Sequence, residues 1–185
     1  MKNFAIINFV LFLIISLSSC ERILDGKKHE QENITTLRFI AVDMTSGVST
    51  IDTFEFSDPD GPGGNNPTRF DTIHLEKGRK YVVGLQLFDE SKTPIEDMTP
   101  EIINEGDEHQ FFYLSNITGF TVTSTDKDDK GNPIGLNTEW NTPSSGINGT
   151  LQVILKHQPR SKATAPGNIN AGETDVDVTF PLIIE

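Results

Sequence analysis

The sequence predicts an all-β protein: an immunoglobulin-like, two-sheet antiparallel sandwich with one short helix. Three observations predict it. From Ile34 onward, short runs rich in β-branched and aromatic residues alternate with clusters of Gly, Pro, Asn and Asp at nearly regular intervals. Several runs alternate strictly. Tyr81, Val83, Leu85 and Leu87 share one face of a strand, as do Leu151, Val153 and Leu155, and again Val176, Val178, Phe180, Leu182 and Ile184. Only one short stretch reads as helix. A small closed eight-stranded barrel has the same alternation and is the alternative fold.

Taken in order, Leu37, Phe39 and Ala41 alternate with Arg38 and Ile40, and residues 48–56 form a second run. That run ends at Asp58-Pro59-Asp60-Gly61-Pro62-Gly63-Gly64-Asn65-Asn66-Pro67, a concentrated turn signal. Residues 69–75 and 79–88 are joined by Glu76-Lys77-Gly78, a hairpin-like connection. Thr99-Pro100-Glu101 reads as a helix N-cap followed by proline in the first turn, with Gly106 as the stop. The acids Asp107 and Glu108 at the far end oppose the helix dipole, so they are not there to stabilise that helix. Strand returns at 110–114. Residues 119–126 and 136–142 flank a hairpin turn at 127–133, and 159–172 is a polar connection. Pro181 cannot donate to a ladder, which puts the last strand at or against a sheet edge.

The N-terminus carries a separate signal. Behind Lys2, residues 4–17 are almost wholly apolar, a length that suits a secretory segment and is short for a membrane span. Leu17-Ser18-Ser19-Cys20 resembles a bacterial lipobox, which implies cleavage before Cys20 and acylation of its sulfur and amino group. Acyl chains on Cys20 anchor a domain to a membrane. The expected organisation is therefore a signal peptide at 1–19, a flexible tether at 20–33 and a single sandwich domain at 34–185. Cys20 is the only cysteine, so disulfides and thiolate metal sites are excluded. A net charge of -12 with no basic face argues against nucleic acid.

Three places carry residue types that bind metal ions. Asp58 and Asp60, with glycines between them and Asn65, are what a hard cation such as Ca²⁺ requires, although Arg69 stands where an EF-hand needs its last acid. The same residues make an ordinary surface turn. Asp126, Asp128 and Asp129 form a similar group for which a hairpin turn suffices. Of the histidines, none has a zinc-motif spacing. His109 nevertheless follows acids at an element boundary, and His157 continues the inward phase of Leu151, Val153 and Leu155. Strand ends of a sandwich cluster, so His109 and His157 with Glu105 or Glu108 are a candidate site for Zn²⁺ or a similar ion. Two unrelated surface histidines are the alternative. The chain reads as a non-enzyme: it has no G-x-S-x-G, no free thiol once Cys20 is acylated, and no phosphate loop. Trp140, on a polar strand beside Asn137, Glu139 and Asn141, is the one aromatic read as a candidate for exposure.

Residues 87–97, 107–113, 125–133, 149–159 and 172–184 resemble small lipoproteins of flavobacteria and their Bacteroidetes relatives, often labelled "type 1 periplasmic binding fold superfamily". A periplasmic binding fold needs alternating strands and helices, which this chain lacks, so the resemblance implies context rather than fold. Such lipoproteins are often encoded beside TonB-dependent receptors. The resemblance implies a monomeric accessory binding protein, lipid-anchored in the outer membrane of a Gram-negative bacterium, with such a receptor as partner in nutrient or metal uptake. Cys20-Glu21-Arg22-Ile23-Leu24-Asp25 lacks the acidic cluster of surface-exported relatives, so the periplasmic or surface face stays open. The alternative function is a structural or protein-interaction module of the outer membrane with no small ligand.

Overall fold

A computed structural model describes residues 32–45 and 50–185. The expected signal peptide, the lipidation site Cys20 and the tether up to residue 31 lie outside the described residues. No helix among the described residues is long and apolar enough to cross a membrane.

In chain order the elements are β1 (Thr36–Asp43), β2 (Ile51–Ser57), β3 (Arg69–Phe70), β4 (Ile73–Leu75), β5 (Lys80–Asp89) and β6 (Glu96–Asp97). Then come α1 (Thr99–Asn104), β7 (His109–Ser115), β8 (Thr121–Ser124), β9 (Asn137–Asn141), β10 (Ile147–His157), α2 (Ser161–Thr164) and β11 (Glu173–Ile184). They make two sheets. One runs β3-β2-β1-β5-β9-β8 with β6 added to β5, and the other runs β4-β11-β10-β7. The sheets do not close on each other, so the fold is the sandwich and not the barrel.

The alternation seen in the sequence is the packing code. Leu37, Phe39 and Ala41 of β1, Tyr81 to Leu87 at every second place of β5, and Leu151, Val153 and Leu155 of β10 are all buried. From β11, Phe180, Leu182 and Ile184 meet them. Phe39 is the hinge point of this core, edge-on to Trp140 at 5.4 Å and to Phe180 at 5.5 Å. Trp140 is therefore fully buried rather than exposed. Its polar neighbours in sequence point outward while Thr138 and Trp140 point inward, and its indole N–H donates to Thr138 Oγ1 at 2.8 Å.

Four local expectations change. The run 69–75 splits between sheets, β3 joining one and β4 the other. At the crossing, the Asp71 carboxylate accepts the Glu55 N–H. Residues 76–78 are consequently a crossover and no hairpin: Lys77 N–H donates to Glu185 O, and Gly78, at φ 66, donates to Pro143 O. Thr99 does not cap α1, because its hydroxyl accepts the Leu87 N–H instead. The connection after β10 holds a second short helix, α2. Strand β11 is flanked by β10 along its length, while the parallel strand β4 joins only from Leu182, one residue after Pro181.

Candidate metal centre

The end of the second sheet where β10 finishes and β7 and β11 begin gathers titratable side chains from four parts of the chain. His109 opens β7 and His157 closes β10, and the antiparallel register makes them direct partners. Their rings stack at 4.6 Å with 10° between planes. Both are buried, His109 completely. The Glu105 carbonyl, at the C-terminal end of α1, lies 3.2 Å from His109 Nδ1. With Nδ1–H donating there, the lone pair of His109 sits on Nε2, the nitrogen that faces the acids.

Asp175 arrives through an irregularity. Leu155 stands opposite Val176 and Lys156 opposite Thr174, so Asp175 is the extra residue of a β-bulge. Bulges re-aim a side chain that regular alternation would send to the other face. Glu32 precedes β1, where Thr35 N–H donates to Phe88 O and Asn33 Nδ2 donates to Asp89 Oδ1, fixing the chain against the end of β5. One donor atom from each of Glu32, His109, His157 and Asp175 lies within 4.8 Å of the other three.

The polar inventory of this cluster does not close within the described residues. Glu32 Oε1 is 3.1 Å from His109 Nε2, but without hydrogen-bond geometry. Glu32 Oε2 and both carboxylate oxygens of Asp175 are buried with no hydrogen-bond partner. Buried acceptors are ordinarily satisfied, and a carboxylate left bare in the interior costs stability.

Electrostatics follow from this crowding. Burial, and then the negative charge of Glu32, push Asp175 up to about 6, against the pull of the two histidines. Burial acts to depress His109, but the Glu32 carboxylate and the Glu105 carbonyl outweigh it and hold His109 above the ordinary histidine value. Burial likewise acts to raise Glu32, and His109 outweighs it, so Glu32 stays below the ordinary glutamate value. These carboxylates compete for too little positive charge. Two imidazole nitrogens and two carboxylate oxygens are a donor set for a divalent first-row transition ion such as Zn²⁺.

Of the residues singled out in the sequence, His109 and His157 come together. Glu105 meets His109 through its carbonyl, not its carboxylate, and Glu108 Oε2 flanks the pair at 3.3 Å from His157 Nε2. Glu32 and Asp175 escaped the sequence reading. Glu32 falls in the stretch read as tether, and Asp175 lies out of phase with the inward residues of its strand. The bulge leaves no residue signature. The loop of Asp58, Asp60 and Asn65 is a turn in which Asp60 Oδ2 accepts both the backbone N–H and the side-chain amide of Asn65, at 2.9 and 2.7 Å. Gly61 and Gly63 supply its left-handed residues. Asp58 is buried, and its Oδ1 has no hydrogen-bond partner. Comparison of the chain with family models, curated proteins and solved structures finds no match.

Proposed function

We propose that this domain is a non-catalytic metal-binding module that holds a divalent transition ion on Glu32, His109, His157 and Asp175. The observation that carries the reading is the convergence of four donor groups within 4.8 Å, with three buried carboxylate oxygens that no hydrogen bond satisfies. A divalent cation offsets the desolvation of both acids and takes up the lone pairs directed at the cluster. The acidic chain, -12 overall, concentrates cations around it. Combined with the lipobox-like Leu17-Ser18-Ser19-Cys20, this supports an envelope lipoprotein that captures metal for a TonB-dependent uptake system.

The test is elemental analysis of the purified protein after equilibration with Zn²⁺, Co²⁺ or Ca²⁺ and removal of free ion. The reading expects one Zn²⁺ or Co²⁺ per chain and a Co²⁺ absorption spectrum of nitrogen and oxygen ligation. Retention of none of these ions overturns it. The uptake role is tested separately, by growth of a strain lacking the protein under zinc limitation: a defect is expected, and growth equal to the parent overturns the role.

A further inference from the structure

Beside the metal cluster, between the entry to β1 and strand β11, lies a cavity of about 310 Å³. That is the lower end of the size range of small-molecule sites. Three of its lining acids, Glu32, Asp58 and Asp175, each hold a buried carboxylate oxygen with no hydrogen-bond partner among the described residues. Leu37, Phe56 and Val178 give it apolar walls. No lysine, arginine or histidine lines it among the described residues. Asp58 belongs to no part of the metal cluster, yet it is 9% exposed and its Oδ1 is bare.

We infer that this cavity is a second binding site, for a small organic cation whose ammonium group sits on Asp58 and whose short apolar body lies against Leu37, Phe56 and Val178. A buried carboxylate accepts a charge-assisted hydrogen bond from an ammonium group more strongly than from a neutral donor. An anion meets four acids, Glu32, Asp58, Asp175 and Asp177, and no compensating charge, so it is excluded. A neutral alcohol satisfies the acceptor without neutralising it. Burial, and then the neighbouring Asp60 carboxyl, hold Asp58 above the ordinary aspartate value, a direction that a bound cation reverses. The seat of the ammonium, Asp58, lies outside the metal cluster, but Glu32 and Asp175 line the cavity and are also the proposed metal ligands, so the titrations use metal-free protein.

The test uses n-hexylammonium, phenethylammonium, hexanol and hexanoate as probes, titrated into the purified protein and followed by amide chemical shifts and calorimetry. The two ammonium probes are expected to bind and to move the amide signals of Thr35, Leu37 and Val178, while hexanoate does not bind. Asp58→Asn is expected to weaken ammonium binding at least about tenfold. Val178→Phe, which fills the cavity without touching a carboxylate, is expected to abolish it. In metal-free protein, His109→Ala/His157→Ala, which touches no residue lining the cavity, is expected to leave ammonium affinity within about twofold. Three results overturn the inference: hexanoate or hexanol binding as well as the ammonium probes, no binding by any probe, or ammonium affinity unchanged by Asp58→Asn. Displacement by Ca²⁺ that Asp58→Asn abolishes also overturns it, and makes the Asp58 loop a calcium site.

Discussion

Two groups of partly or fully buried acids lie on either side of His109, and they are treated differently. In the hairpin between β8 and β9, the Asp126 carboxylate accepts the backbone N–H groups of Gly135, Leu136 and Asn137. Asp128 accepts those of Lys130 and Asn132 and pairs with Lys162 at 3.2 Å. Lys162 is fully buried, and its ammonium also donates to the carbonyls of Gly106 and His109. Asp126, Asp128 and Lys162 each have their partners within the chain. On the other side, Glu32 and Asp175 keep bare oxygens. The difference separates acids whose hydrogen bonds build the fold from acids that the fold leaves unsatisfied among the described residues. Both groups look alike in the sequence, and only the count of donors tells them apart.

The largest way to break the satisfied side is Lys162→Met. It strands Asp128 and two carbonyls, and removing one member of a buried ion pair costs about 3–5 kcal/mol. Urea unfolding is the measurement, and a loss below about 1 kcal/mol contradicts the structural role. Asp126→Ala removes the acceptor for three backbone donors and is expected to cost about 2–3 kcal/mol, with faster amide exchange at residues 135–137.

The bare side responds in the opposite direction. Asp175→Asn is expected to stabilise the metal-free protein at pH 7 by about 1–2 kcal/mol, discounted for partial solvent screening, while weakening Zn²⁺ binding. The pH dependence has a definite sign. Asp175 is raised to about 6 from 3.8, so the folded chain holds this proton more tightly than the unfolded one. Its destabilising contribution is full above pH 6 and fades as pH falls from 6 towards 4. Glu32 and Asp128 are lowered, so their contributions are lost as pH falls below the ordinary carboxylate range. In metal-free protein the Asp175→Asn change therefore removes a rise in stability between pH 6 and pH 4, readable from chemical melts at each pH. The smallest effect belongs to the exposed turn, where Asp60→Ala is expected to lower the melting temperature only slightly through the lost Asn65 bonds.

The same contrast explains how much the sequence discloses. Strict period-2 runs such as 81–87 and 151–155 name the core directly, because alternation is the physical requirement of a half-buried strand. Phase also carries His157 into the interior and onto His109. Where the backbone departs from the period, the reading stops. The bulge at Asp175 has no residue preference to betray it, and Glu32 is one acid in a polar run, positioned by Thr35 pairing with Phe88 some fifty residues away. Likewise, the crossover at 76–78 has the residues of a hairpin, and only the partners Glu185 and Pro143 distinguish the two.

The central claim is that the bare acids and stacked histidines hold a metal ion, and calorimetric titration of Zn²⁺ into chelator-treated protein tests it most directly. The wild-type protein is expected to take up one ion per chain at pH 7 with release of protons, His109, held above the ordinary histidine value, among their sources. His109→Ala/His157→Ala is expected to lose the binding heat while remaining folded by circular dichroism. No heat in the wild type, or equal heat in the folded double variant, contradicts the account and leaves the cluster a costly feature of the fold.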